Sequence, residues 1–369
     1  MVIQDGMTLS SLISDNSWPE TLSYLSSLTD LDATAREHNA FRRARGVRTV
    51  EDQLRLALGY GVGLSLRQSS AWAGAANIAA VSNPALLRRL SNCSDWLEHL
   101  TMRLVEDAQT QPSGEWAGTR LRVVDATSLS CPGAHGTTWR IHLSYDLTGR
   151  VDDLTLTGAR EGESLGRFDW QTGDIAIADR GYAKAKDLRK VVQAGADFMV
   201  RIGWNALRLV DAQGQPFDLF GALDAVADEP ASMSVSVDTR EQGVEPLPLR
   251  LIISSLPHAQ AEQARKKVQA TASKKGKTLD PRSLQAAGYV LILTSLSEER
   301  SSEAVLALYR MRWQIELLFK RFKSLSDLGD LPAKSEKLAK TWIFAKLIIA
   351  LLAEKMARHA AESFPSGHC

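Results

Sequence analysis

Arg120–Leu129, RLRVVDATSL, is a strand-forming run whose apolar stretch ends on Asp125. A glycine-rich loop, Cys131–Gly136, follows it. Trp139–Asp146, WRIHLSYD, then alternates apolar and polar residues, and a turn at Thr148-Gly149 leads into Val151–Thr157, VDDLTLT. Period-two alternation bounded by turn residues predicts a three-stranded meander. Asp174–Asp179, DIAIAD, reads as a fourth, buried strand, Ala183–Ala194 as a helix, and Asp197–Ile202, DFMVRI, as a fifth strand.

Three antiparallel strands followed by strand, helix and strand is the order of an RNase H-like fold. In that fold the first and fourth strands each offer one aspartate to a shared metal site. Asp125 and Asp179, 54 residues apart, occupy those two places. Other acids compete for the role. Asp146, Asp152 and Asp153 flank the hairpin turn, and Glu161 and Glu163 fall in a loop, so they read as solvated turn acids. Glu161–Gly166 is glycine-bearing but has no Gly-Lys-Ser/Thr, which excludes a nucleotide phosphate loop.

Beyond the fifth strand the connection is too long for a simple loop. Leu207–Val210, Ser232–Val237 and Leu247–Ile253 read as strands of a β-rich insertion. Residues 261–282 carry Arg265, Lys266, Lys267, Lys274, Lys275, Lys277 and Arg282 against Glu262 and Asp280. Such a run either tracks phosphates or is a soluble loop. Tyr289–Ser295, YVLILTS, returns to the core.

Next comes Leu306–Lys323, LALYRMRWQIELLFKRFK, free of Gly and Pro and rich in helix formers. At about 100° per residue, Tyr309, Arg312, Glu316 and Lys323 share an arc of roughly 60°. Taken alone, this is also the pattern of a solvated charged face. The four residues resemble the Tyr-(2)-Arg-(3)-Glu-(6)-Lys signature of the insertion sequence 4 family of DDE transposases. Asp125-Ala-Thr and Asp179-Arg-Gly-Tyr182 resemble the family's surroundings of its two aspartates.

The resemblance implies a DNA transposase that cleaves at transposon ends and joins the 3′-hydroxyl to target DNA. Asp125, Asp179 and Glu316 would be catalytic and hold two Mg²⁺ ions, with Mn²⁺ able to substitute. Tyr309, Arg312, Lys323 and Arg180 would contact DNA phosphates. The partners implied are double-stranded DNA, as terminal repeats and target, and a second copy of the chain in the DNA complex. Hairpin-forming relatives place a base-stacking tryptophan where this chain has Val290, beside Tyr289. Two alternatives stay open: an RNase H-fold nuclease without strand transfer, and a non-catalytic end-binding relative.

The expected fold class is α/β, an RNase H-like core interrupted by a β-rich insertion and preceded by a helical DNA-binding region. The boundaries fall at 1–115 for the helical region, 116–205 for the first half of the core, 206–288 for the insertion and 289–369 for the second half with C-terminal helices. In the first region, helices are predicted over Asp52–Tyr60, Leu66–Ile78 and Ala85–Leu104, with Gly59, Gly61 and Gly63 breaking or kinking the first. Arg42, Arg43, Arg45, Arg48, Arg67, Arg88 and Arg89 would be the exposed bases of a helix-turn-helix or of a plain bundle.

At 369 residues the chain is long enough for more than one unit, and its net charge is only +1. Charge is segregated: residues 1–40 hold six acids and one base, while residues 304–358 hold eleven bases and five acids, a net of +6. Three widely spaced cysteines exclude a zinc-finger spacing and suit a reduced, cytoplasmic protein, and the transposase resemblance implies association with the nucleoid. The most apolar run, Trp342–Ala353, is too short for a membrane span and lies in a predicted basic helix, Lys334–His359. The tail Ser363–Cys369 reads as disordered.

Overall fold

The computed structural model describes residues 12–107, 119–131, 133–134, 136–146, 151–226, 229–239, 241–310, 312, 331–332 and 335–363. Its centre is one sheet. Strands β1 (Arg120–Leu129), β2 (Trp139–Tyr145), β3 (Val151–Gly158), β4 (Asp174–Ala178) and β5 (Asp197–Arg201) match the expected strands to within one residue at each end. β1 pairs antiparallel with β2, and β2 with β3, while β1–β4 and β4–β5 are parallel. All five residues of β4 are buried, as its unbroken apolar run requires of a strand covered on both faces.

The insertion extends this sheet. Strands β6 (Leu209–Val210), β7 (Ala231–Val237), β8 (Leu247–Ser255) and β9 (Tyr289–Thr294) complete a nine-stranded order β3-β2-β1-β4-β5-β9-β8-β7-β6. β9 bridges the two parts, antiparallel to both β5 and β8. The basic run is largely helical: α9 (His258–Lys274) and α10 (Pro281–Ala286) occupy most of it, with Pro281 at the start of the second.

Each sheet face carries a core. On one lie Leu121, Val123, Ile141, Leu143, Ile175 and Ile177 with the N-terminal helices α1 (Trp18–Leu28) to α6 (Ser94–Asp107) and the C-terminal α12 (Glu336–Ser363). On the other, Val124, Ala176, Ala178, Phe198 and Val200 meet α7 (Ala185–Gln193), α8 (Leu219–Ala225) and α10. Residues 341–353 of α12 are buried all round, so its apolar stripe is core rather than membrane span. No helix among the described residues is long and apolar enough to cross a membrane.

Two expectations about the N-terminal region need correction. Helix α3 (Val50–Gly61) runs through Gly59 instead of breaking there, and ends at Gly61. Those glycines permit close approach: a Cβ would lie 2.7 Å from the Trp72 ring at Gly59 and 2.7 Å from Ala345 Cβ at Gly61. The long helix expected over 85–104 is two, α5 (Asn83–Ser91) and α6, divided at Asn92-Cys93. The expected disorder of 364–369 lies outside the described residues.

Candidate active site

The strand order reverses at β1. The chain steps from β1 outward to β2 and β3, then crosses back to β4 on the other side. The carboxyl ends of the strands flanking such a reversal form a crevice no adjacent loop fills. β1 and β4 run parallel with Val123 opposite Ile177, and each chain then continues two residues, to Asp125 and to Asp179. Continuing the alternation turns both toward the side of the sheet that holds Val123, Ile177 and the helical core. Both are partly buried.

Local structure fixes both carboxylates. Asp125 Oδ1 accepts from the N–H of Ala126 at 2.8 Å. Asp179 caps the short 3-10 turn Arg180–Tyr182, its Oδ1 accepting from Gly181 N–H at 2.8 Å. Among the described residues no cation forms an ion pair with Asp179.

The competing acids of the hairpin are different. Arg122, 2% exposed, binds Asp152 at 3.1 Å, Asp153 at 3.2 Å and Asp174 at 3.4 Å, and its guanidinium lies 4.6 Å from the centre of the Trp170 ring. Arg120 takes Asp174 by two further bonds of 2.7 and 2.8 Å. Asp146 is buried as well, so these acids are not the solvated turn residues the sequence suggested. Burial raises the Asp152 pKa in spite of the Arg122 charge. Asp152, Asp153 and Asp174 are therefore spent on internal ion pairs.

The predicted signature helix begins in a helical run over 302–310, here α11. It delivers Tyr309, 8% exposed, to the Asp179 end of the sheet. Burial raises the Tyr309 pKa, and the charges facing its hydroxyl are Arg312, Arg201 and Asp179. The Arg312 guanidinium stands 5.5 Å from the Tyr309 ring centre. Arg180 is exposed, and partial desolvation with Arg201 beside it lowers its pKa while Tyr309 and Asp179 oppose the shift. Asp179, Arg180 and Tyr309 are thus brought together with Arg312 beside them, whereas Glu316 and Lys323 lie outside the described residues.

Two members of this neighbourhood were missed in the sequence. Arg201 closes β5, opposite Ile292 of β9, and its Nε is buried without a hydrogen-bond partner among the described residues. A cleft of about 800 Å³ opens from Arg180 and Arg201 toward α9, where Lys267, Lys275 and Lys277 line it. The available signal was a base ending the strand beside the one that ends in Asp179. The second is Glu163, half-buried on the loop that follows β3. Burial first and the Asp179 charge next raise its pKa. No sequence signal marked it, since its position depends on how that loop folds back.

Tyr289 and Val290 begin β9 at the same end of the sheet, and their side chains join opposite cores, as adjacent strand residues must. Tyr289 packs among the residues of the second core.

Among the described residues no three Asp, Glu, His or Cys side chains stand close enough to hold a metal ion as they are. Asp125, within β1, and Asp179, just past β4, offer hard oxygen donors on rigid backbone, the donor type that divalent cations such as Mg²⁺ take. The buried Tyr182 hydroxyl has no hydrogen-bond partner among the described residues. The charges of Asp125, Glu163 and Asp179 act on that hydroxyl. The donor set fits such an ion.

Residues 116–352 match the family described as transposase DDE domain. The chain is 38% identical over 359 residues to the putative transposase InsL for insertion sequence element IS186A of Escherichia coli (strain K12), across 95% of this chain and 96% of that one. It is 38% identical over 360 residues to the transposase for insertion sequence element IS421 of Escherichia coli, with the same coverage. The transposase for insertion sequence element IS231F of Bacillus thuringiensis subsp. israelensis is 25% identical over 264 residues, 63% of this chain and 55% of that one.

Proposed function

This chain belongs to the DDE transposase family and is a DNA transposase, and we propose that Asp125, Asp179 and Glu316 form its catalytic carboxylate set. The observation that carries this reading is the matched register of β1 and β4, which sets Asp125 within β1 level with Asp179 just past β4, with Tyr309 of α11 facing the second. The strand order β3-β2-β1-β4-β5 with its antiparallel and parallel pairings supports an RNase H-like core. Tyr309 and Arg312, at their signature spacing, support membership of the insertion sequence 4 group.

The family uses divalent metal ions, and here Asp125, Asp179 and Glu316 would hold two Mg²⁺, with Mn²⁺ as a substitute. Bound there, the ions supply charge for both the attacking and the leaving oxygen of an in-line displacement at phosphorus. The protein's own part is to place the DNA. Arg180, Arg201 and Arg312 present guanidinium forks, which suit phosphate oxygens. Tyr309, fixed by burial, keeps Arg312 on the Asp179 side. Lys323, on the same arc in the sequence, would add a further phosphate contact.

Terminal repeats would be read by the N-terminal helices. Arg67 and Arg88 are exposed on α4 (Leu66–Ala75) and α5, beside exposed Arg42, Arg43, Arg45 and Arg48. Arg89 is not available for this. It donates to Gln53 Oε1 at 3.0 Å and to the carbonyls of Arg43 and Arg45 at 2.9 and 2.6 Å. A homodimer would hold the two ends.

The experiment uses labelled terminal-repeat duplexes, intact and pre-cut. Asp125→Asn, Asp179→Asn and Glu316→Gln should each abolish Mg²⁺-dependent cleavage and joining while retaining end binding. Cleavage that survives any one substitution removes that residue from the set.

A further inference from the structure

We propose that Glu163 is a further carboxylate of the cation site, acting beside Asp179, and that the buried Tyr182 hydroxyl is the donor that orders it. The inference rests on the aspartate reading above and adds two residues to it.

Topology brings Glu163 there. β3 ends at Gly158 opposite Trp139, and Trp139 in turn lies opposite Leu129 at the end of β1. The loop leaving β3 therefore starts at the same sheet end as the aspartates. It is pinned at three consecutive points. Arg140 donates to the carbonyl of Glu161 at 2.9 Å, Lys184 Nζ donates to the carbonyl of Glu163, and Ser164 Oγ donates to Asp187 at 2.7 Å. A fourth contact joins Arg167 to the Glu161 carboxylate at 3.0 Å.

What these bonds leave over is informative. The charges of Arg140 and Lys184 both act on the Glu163 carboxylate, and both side chains donate to backbone carbonyls of the loop. A carboxylate kept for structure, with two cations at hand, would be paired with one of them. Glu163 instead lies flat on Gly181, where even a methyl group would be 1.7 Å from its Oε2 and 3.2 Å from Asp179 Oδ1. Glycine at 181 is what lets the two carboxylates approach.

Tyr182 gives a second, independent observation. Its side chain is 0% exposed, its ring belongs to the second core, and its hydroxyl has no partner among the described residues. A buried hydroxyl without a hydrogen bond costs on the order of 1–3 kcal/mol. Such a cost persists where the group meets its partner only in the working state. The charges around it are Asp125, Glu163 and Asp179, with Arg140 behind them. Glu163 and Asp179, which both crowd the Gly181 Cβ position, repel one another when both are ionised. A carboxylate reoriented by a bound cation would give the hydroxyl the acceptor it lacks.

The test is a Mn²⁺ titration of the full chain without DNA, followed by water-proton relaxation. Glu163→Gln should weaken Mn²⁺ binding at least tenfold, and Tyr182→Phe about three- to tenfold. Glu163→Asp, which keeps the charge and shortens the reach, should fall between Glu163→Gln and wild type. Glu298→Gln, exposed beyond the C-terminal end of β9 at the other end of the sheet, should leave the affinity unchanged. Circular dichroism of each variant should superimpose on that of the wild type. Wild-type affinity in Glu163→Gln, in a series where Asp179→Asn loses binding, overturns the assignment of Glu163 alone. Retention of binding by Asp179→Asn overturns the aspartate site itself, and this inference with it.

Discussion

Replacing Gly181 with alanine tests the crowding of the site with one methyl group. Gly181 does not have a positive φ, so alanine meets no backbone penalty there. Its Cβ would stand 1.7 Å from Glu163 Oε2 and 2.9 Å from Glu163 Cδ. Ordinary contact begins near 3.4 Å, so the carboxylate must retreat by about 1.7 Å. The obstacle is the far end of a flexible side chain, so the fold adjusts cheaply, and stability should change by less than about 1 kcal/mol. Activity should not adjust, because displacing a catalytic group by about 1 Å costs on the order of a hundredfold. Gly181→Ala should therefore melt with the wild type while Mg²⁺-dependent cleavage of a terminal-repeat duplex falls about a hundredfold. The methyl group also comes within 3.2 Å of Asp179 Oδ1, and a double-mutant cycle separates the two effects. In a Glu163→Ala background the methyl group has nothing to displace and should add little further loss. An unchanged rate in the single variant refutes the reasoning. So does a full hundredfold loss in the Glu163→Ala background, which would assign the effect to Asp179.

Two further predictions concern the sheet that carries the site. Arg122→Met strands Asp152, 8% exposed, without its cation, and removing one partner of a buried ion pair costs about 3–5 kcal/mol. The Asp152 pKa is already raised and would rise further, so the folded state would bind protons that the unfolded state releases. The deficit seen in urea denaturation should then shrink as pH is lowered from about 8 to about 5, and a pH-independent deficit would exclude Asp152 as its source. His142, 0% exposed and bonded to Thr157 Oγ1 at 2.9 Å, has its pKa lowered to about 4 by burial, with Arg167, Arg140 and Lys184 adding to the effect. The unfolded state takes up this proton first, so stability should fall by about 3 kcal/mol as pH drops from about 6.5 to about 4. His142→Gln should flatten that slope, and an unchanged slope would place the titration elsewhere.

The first five strands and their two aspartates were legible because each strand is bounded by turn residues. The register of β1 against β4 then follows from a single crossover. The helix α9 was not legible. Only Ala261 is buried along its 17 residues, so no apolar stripe announced it. Its Ala, Gln, Glu and Lys content was the usable signal, since these residues favour helix without any packing. Gly59 was misread for the opposite reason. Glycine weakens a helix locally, but here the close approach of Trp72 outweighs that cost. The nine-stranded continuity of the sheet could not be read either, because the pairing of β8 with β9 joins segments whose alternation suits several neighbours.

Choosing among the acids shows where sequence reading stops. Asp152, Asp174 and Asp179 sit at or near strand ends and Asp125 within one, and composition ranks none above the others. The structure separates them by what already neutralises them. Asp152 and Asp174 face Arg122 and Arg120 across the sheet, a pairing set by the register of β1 with its neighbours. Asp179 receives one backbone N–H, and Glu163 passes over two nearby cations to lie beside it. Two partly desolvated carboxylates left near one another are a standing electrostatic cost in the isolated chain. Folding tolerates that cost because β4 is buried on both faces and the β3–β4 loop is pinned by Arg140 and Lys184. The same anchoring fixes the backbone beneath both carboxylates, so only rotation of the side chains can relieve their repulsion. A divalent cation would offer a second relief, and in this way the rigidity of the backbone would favour the ion.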